Sequence, residues 1–152
     1  MSHWTYVTGI IKVRSPGRFD EETVYMLKSI TKKLPIIHGS EGDVAINIVP
    51  DLSSKDYELE DERGLSRREA EPMFWYQHSK FFSKYTFYLI TLSGTLRDRD
   101  FDETLMETEK LIFRLAKRVP IEEISVTVRD DFFDKSYTFN DTQQLSVVYE
   151  YI

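Results

Sequence analysis

Alternation of apolar and polar positions opens the chain. From Trp4 to Val13, Trp4, Tyr6, Thr8 and Ile10 fall on one side of an extended backbone, with Thr5, Val7, Gly9 and Ile11 on the other. Both sides carry apolar groups, the pattern of an inner strand, and Gly9 marks a place for close approach by a helix. After a turn at Ser15-Pro16-Gly17 the period changes. Val24, Leu27, Ile30 and Leu34 recur at helical spacing and predict one buried stripe. Asp20 is placed as the N-cap, Glu21 and Glu22 fall in the first turn, Phe19 can staple onto Val24, and Pro35 ends the helix. Val44 to Val49 predicts a second strand.

The same order then returns. Thr86 to Leu96 is a continuous apolar run suited to a central strand. A helix follows, with Phe101 ahead of Asp102 as its cap, Met106 available for a staple, and Leu105, Ile112, Leu115 and Val119 as its stripe. Ile121 to Val128 predicts the next strand. Gly9 and Pro35 recur as Gly94 and Pro120, each 85 positions on, while Phe19-Asp20-Glu21 recurs as Phe101-Asp102-Glu103 after 82. The repeated unit is strand, helix, strand. The expected fold is α+β: a ferredoxin-like duplicated βαβ arrangement, an antiparallel sheet with two helices on one face. In this reading residues 1–152 form a single domain. Its parts are a first copy at 3–49, an insertion at 50–84, a second copy at 85–129 and a C-terminal hairpin at 130–152 that extends one edge.

The insertion begins polar and charge-dense, with a short helix expected over Glu58 to Glu71 despite Gly64. It ends with six aromatics between Phe74 and Tyr85. These are expected to pack on the sheet, bind a ligand or meet another subunit.

Composition narrows the class. The 152 residues are 41% hydrophobic and 14% aromatic, which argues against disorder. The sequence contains no cysteine, so disulfides, thiolate metal sites and cysteine nucleophiles are excluded together. A formal net charge of -6 disfavours general nucleic-acid binding, which needs clustered cations. No apolar run reaches membrane-spanning length and the first residues carry no signal-peptide pattern, so a soluble intracellular protein is expected.

Two stretches carry candidate chemistry. His38-Gly39-Ser40-Glu41-Gly42-Asp43 forms a tight loop whose backbone N–H groups suit an anion or a ligand oxygen, although no Lys-Ser/Thr follows as a P-loop requires. The second copy has only Glu122-Glu123 here, so one copy alone was elaborated. Arg97-Asp98-Arg99-Asp100 offers planar guanidinium forks at a helix start, or else a self-paired surface loop. These stretches are expected at opposite ends of the sheet, meeting only across an oligomer interface. His3-Trp4-Thr5 and His38-Gly39-Ser40 match the His-x-Thr/Ser element of two-histidine phosphoesterases, yet both lie in the first copy, whereas that mechanism needs one in each half. His78-Ser79-Lys80 departs from the element. Asp130, Asp131 and Asp134 suit a hard cation or a solvated turn. Arg67 and Arg68 with Phe74, Trp75 and Tyr76 offer a stacking surface for a base.

The strand Trp4 to Val13 (W-x-Y-V-x-G-x-I-x-V), the loop Gly39 to Val44 and the run Leu96 to Leu105 resemble a family of small proteins encoded by tailed bacteriophages of Gram-positive bacteria. The family's motifs name no activity. The resemblance implies phage origin and so the host cell cytoplasm. A small, acidic, cysteine-free phage protein without a catalytic set is then expected to be an accessory protein acting by stoichiometric binding, with inhibition of a host defence as one form of that role. The ligand is then an anionic small molecule such as a nucleotide signal, or a host protein. Gly39, Ser40, Glu41, Gly42, Asp43, Arg97, Arg99, Trp75 and Tyr76 form the ligand-binding set, with no catalytic residue, metal or cofactor. Ser40, Glu41 and Asp43 order the loop or bind ribose hydroxyls, Arg97 and Arg99 pair with phosphates, and Trp75 or Tyr76 stacks on a base. The rival classes are a phosphoesterase-type hydrolase and a structural or assembly component. A homo-oligomer, through a sheet face or edge, is expected in each case.

Overall fold

The computed structural model describes residues 3–56, 84–131 and 134–140. Among them the order is β1 (Trp4–Arg14), α1 (Asp20–Lys32), β2 (Ala45–Pro50), a 3-10 turn (Leu52–Ser54), β3 (Lys55–Asp56), β4 (Lys84–Tyr85), β5 (Phe87–Arg97), α2 (Phe101–Ala116), β6 (Ile121–Asp130) and β7 (Lys135–Phe139). Five strands form one sheet in the order β2-β5-β1-β6-β7, antiparallel throughout, and β3 pairs with β4 in a ladder of its own. The molecule is thus α+β. The two strands with apolar residues on both sides occupy the interior of the sheet, as their pattern requires.

Alternate residues of the interior strands β1, β5 and β6 turn to one face and are largely buried there. Ile11 stands opposite Ile90 and Ile124, and Val7 opposite Val128. Leu27 of α1 and Leu111, Ile112 and Leu115 of α2 join them in a single core. Burial of such a side chain contributes about 1.5–3 kcal/mol. The predicted stripes are present, with Leu27, Leu34, Ile112, Leu115 and Val119 fully buried and Val24, Ile30 and Leu105 at its margin.

Gly9 and Gly94 occupy tight places in this sheet. A Cβ on Gly9 would lie 2.4 Å from Val126 Cα, and one on Gly94 would lie 2.9 Å from Val44 Cα. The neighbour that excludes a side chain at Gly9 is therefore β6, not the expected helix.

Both helix starts differ from local capping rules. Phe19, not Asp20, occupies the N-cap of α1, without a side-chain cap bond. The Asp20 carboxylate is used in tertiary structure instead, accepting from the Tyr85 backbone N–H at 2.9 Å and the Tyr88 hydroxyl at 2.8 Å. Tyr88 is 1% exposed, so its hydroxyl needs an acceptor inside the fold. Burial, and then the bond to Asp20, raises the Tyr88 pKa above the ordinary phenol value. In α2, Asp100 holds the N-cap position and Phe101 is the first helical residue, drawn into the core. Met106 is 68% exposed and takes no part in a staple.

Lys135–Phe139 extends the sheet at the edge of β6, as expected of the terminal segment. The second strand expected after Asn140, the helix over 58–71 and the aromatics at 74–82 lie outside the described residues. No helix of the described residues is long and apolar enough to cross a membrane.

Candidate functional site

Antiparallel pairing decides which loops meet. Because β2 runs opposite to β5, the segment leading into β2 stands beside the segment leaving β5. The Gly39–Asp43 loop and Arg97 are therefore neighbours within one chain, correcting the expectation that they lie at opposite ends. The Arg97 Nη1 donates to Glu41 Oε1 at 2.6 Å. The Ser40 N–H and hydroxyl both donate to the Arg97 carbonyl at 3.1 Å, and the same hydroxyl reaches Asp98 Oδ2 at 3.4 Å. Gly39 passes so near the end of β5 that a Cβ would lie 3.0 Å from Leu96 Cα.

The loop is a miniature hairpin. His38 and Asp43 form a β-bridge and share a 2.6 Å bond between the imidazole Nδ1 and the carboxylate. The Gly39 N–H donates to the Gly42 carbonyl at 2.9 Å. Gly42 turns the chain with φ +80, in open space, where a side chain would be strained by backbone conformation alone. These bonds change the expected chemistry. The N–H groups of Gly39 and Ser40 are consumed within the molecule, so what this corner offers a ligand is chiefly the Arg97 guanidinium and the rim of Ser40, Glu41 and Asp43 side chains.

Arg99 is placed differently. Its guanidinium reaches Glu107 at 2.6 Å and Glu103 at 3.7 Å on the first turns of α2, while its carbonyl accepts from the Thr5 hydroxyl at 2.9 Å. That geometry braces the helix start against β1. The close partners of both arginines come from outside the loop expected to pair with itself, Glu41 for Arg97 and Glu107 for Arg99, while within the loop Arg97 Nε approaches Asp98 Oδ2 at 3.6 Å. Asp98 sits between them with φ 56, a left-handed conformation that aspartate tolerates better than most residues. Its N–H donates to the His3 carbonyl at 2.7 Å, which draws the start of β1 into the same end of the sheet.

One pair here was missed in the sequence. His3 Nε2 lies 2.6 Å from Asp130 Oδ1, and Asp130 is only 1% exposed. The available signal was phase: Asp130 follows Ile124, Val126 and Val128 at intervals of two and so faces inward. The acidic trio proposed for a cation is dispersed by the fold. Asp130 turns to His3, Asp131 accepts from the Tyr6 hydroxyl at 2.9 Å, and Asp134 is exposed at the start of β7. The bond to Asp131 is the main cause that raises the Tyr6 pKa. Among the described residues no group of three potential metal ligands forms. Trp75 and Tyr76 lie outside the described residues.

No protein-family model matches this chain, and no curated protein or solved structure is significantly similar to it.

Proposed function

We propose that this chain acts by stoichiometric binding of an anionic small molecule of the nucleotide class at the corner where the Gly39–Asp43 loop meets the end of β5. The observation that carries the reading is the contact of Arg97 with Glu41 and Ser40. An exposed ion pair of this kind contributes only about 0–1 kcal/mol. A phosphate brings more charge and a geometry that the guanidinium fork matches in two bonds, so it can displace Glu41 at little cost. Glu41 then serves as a placeholder that keeps Arg97 extended across the corner. Ser40, whose hydroxyl donates to the Arg97 carbonyl, and Asp43, held by His38 on the same loop, then contact ribose hydroxyls.

The accompanying biological reading is a phage accessory protein that sequesters a host signal in the host cell cytoplasm. It rests on the sequence resemblance of Trp4 to Val13, Gly39 to Val44 and Leu96 to Leu105 to proteins of tailed phages. The fold reading is a duplicated ferredoxin-like unit with an insertion between the halves. It is supported by the strand order and by Gly9 and Gly94, which make room for β6 and for the approach to β2 respectively.

The test is native mass spectrometry of protein purified gently from lysate, followed by titration calorimetry with mono- and cyclic nucleotides. Saturable binding lost in Arg97→Ala supports the reading. Failure of the whole panel to bind above background counts against it.

A hydrolase is the second reading, favoured by one observation. His3 ahead of β1 and His38 ahead of β2 flank the end of β5 from either side, each with a carboxylate at 2.6 Å. Turnover of a phosphodiester that disappears in both His3→Ala and His38→Ala would select this reading over binding alone.

A further inference from the structure

Two of the described residues other than glycine turn the backbone into the left-handed region, Asp98 with φ 56 and Asp134 with φ 53. At the tip of the Gly39–Asp43 loop the same demand is met by Gly42, with φ +80 and open space around it. Glycine takes this conformation without steric cost, whereas a side chain there adds strain that its own contacts must offset. The presence of aspartate at position 98 is therefore explained by what its carboxylate touches.

That carboxylate is aimed at the Arg97 corner. Its Oδ2 lies 3.6 Å from Arg97 Nε and accepts from the Ser40 hydroxyl at 3.4 Å. Arg97 thus meets two carboxylates at different parts of its planar fork, Asp98 along the Nε edge and Glu41 at Nη1, 2.6 Å away. The two are not held alike. Glu41 stands in an exposed loop between glycines, and its long side chain can swing aside. Asp98 has a short side chain, and its N–H is tied to the His3 carbonyl at 2.7 Å. It cannot leave Arg97 without undoing the turn. Asp134, exposed at the start of β7, has the same backbone conformation but stands three strands from β5, about 14 Å away across the sheet.

We propose that Asp98 is a positioning residue for the ligand of this corner, an inference that rests on the binding function proposed above. It holds the Nε edge of Arg97 so that the Nη end of the fork stays turned to the place Glu41 occupies. The incoming phosphate replaces Glu41 at that end while Asp98 remains on the other edge. An arginine already ordered loses less side-chain entropy on binding. That gain exceeds the repulsion between Asp98 and the anion, which solvent and salt screen at an exposed site. The two carboxylates then act in opposite senses: removing Glu41 tightens binding, and removing Asp98 weakens it.

Calorimetric titration with adenosine 5′-monophosphate and with inorganic phosphate, beside thermal unfolding, tests this in four variants. Asp98→Gly and Asp134→Gly both relieve a left-handed side chain, so each should leave the thermal midpoint unchanged or raise it. Only Asp98→Gly should weaken binding, by about threefold or more, the scale of ordering one side chain. Asp98→Asn should restore binding, because its amide oxygen still accepts from Nε and asparagine tolerates the same backbone. Glu41→Gln should bind more tightly than the wild type. Binding by Asp98→Gly equal to or tighter than that of the wild type overturns the positioning role while leaving the binding function intact. A midpoint several degrees lower in Asp98→Gly also overturns it, since the carboxylate would then serve the fold. A wild-type chain that takes up neither probe removes the binding function, and this inference with it.

Discussion

The guanidinium of Arg97 and the carboxylate of Glu41 meet at 2.6 Å although 56 positions separate them in the chain. Antiparallel pairing of β2 with β5 produces the contact, and the Ser40 bonds to the Arg97 carbonyl hold the loop in place around it. The proposed function has a ligand's phosphate take the place of the Glu41 carboxylate in this exposed pair.

The first prediction follows from that exchange. Arg97→Ala should abolish binding of a phosphate-bearing ligand, whereas Glu41→Gln should tighten it by removing the competing carboxylate. Both variants should unfold within about 1 kcal/mol of the wild type, because surface ion pairs contribute little. Calorimetric titration beside urea denaturation separates the two effects.

Asp20 and Tyr88 make the second prediction. Tyr88→Phe removes a hydrogen bond to a charged acceptor and should cost about 1.5–3 kcal/mol in urea unfolding at neutral pH. The folded chain also holds the Tyr88 phenol in its neutral form above the ordinary pKa. The stability from that shift is complete below about pH 10, where a free phenol ionises, and is lost as pH rises from there towards the folded value. Alkaline denaturation followed by circular dichroism should therefore show a fall above pH 10 that Tyr88→Phe reduces.

For Gly94 the sign of the effect is the test. Glycine to alanine within a strand ordinarily stabilises by reducing the freedom of the unfolded chain. Here the added methyl would press on Val44, so Gly94→Ala should destabilise by about 1–3 kcal/mol. Gly9→Ala should do likewise, since the methyl would meet the backbone of β6. Stabilisation of either variant in urea would show that the sheet yields more easily than its contacts imply.

His3 and Asp130 supply the last. His3→Ala takes a hydrogen-bond partner from a buried carboxylate and should cost about 1–3 kcal/mol. Asp130→Ala, which removes the buried carboxyl group itself, should not add that cost again in the double variant. A double-mutant cycle in urea measures the coupling, and strict additivity would mean that the bond contributes nothing.

Much of this protein was decided by the sequence alone. The alternation in Trp4 to Val13 and the apolar run from Thr86 to Leu96 placed two interior strands, and the spacing of Leu27, Leu34, Ile112 and Leu115 placed both helices. Such periodicities are local and survive without knowledge of neighbours. Tertiary structure decided what those elements meet. It took Asp20 from the helix cap to Tyr88, turned Asp130 inward to His3, set β6 rather than a helix against Gly9, and brought Glu41 to Arg97. The reason is common to all four: a side chain or a bare glycine is committed by whichever neighbour stands within bonding or contact distance, and strand pairing, not sequence proximity, chooses that neighbour.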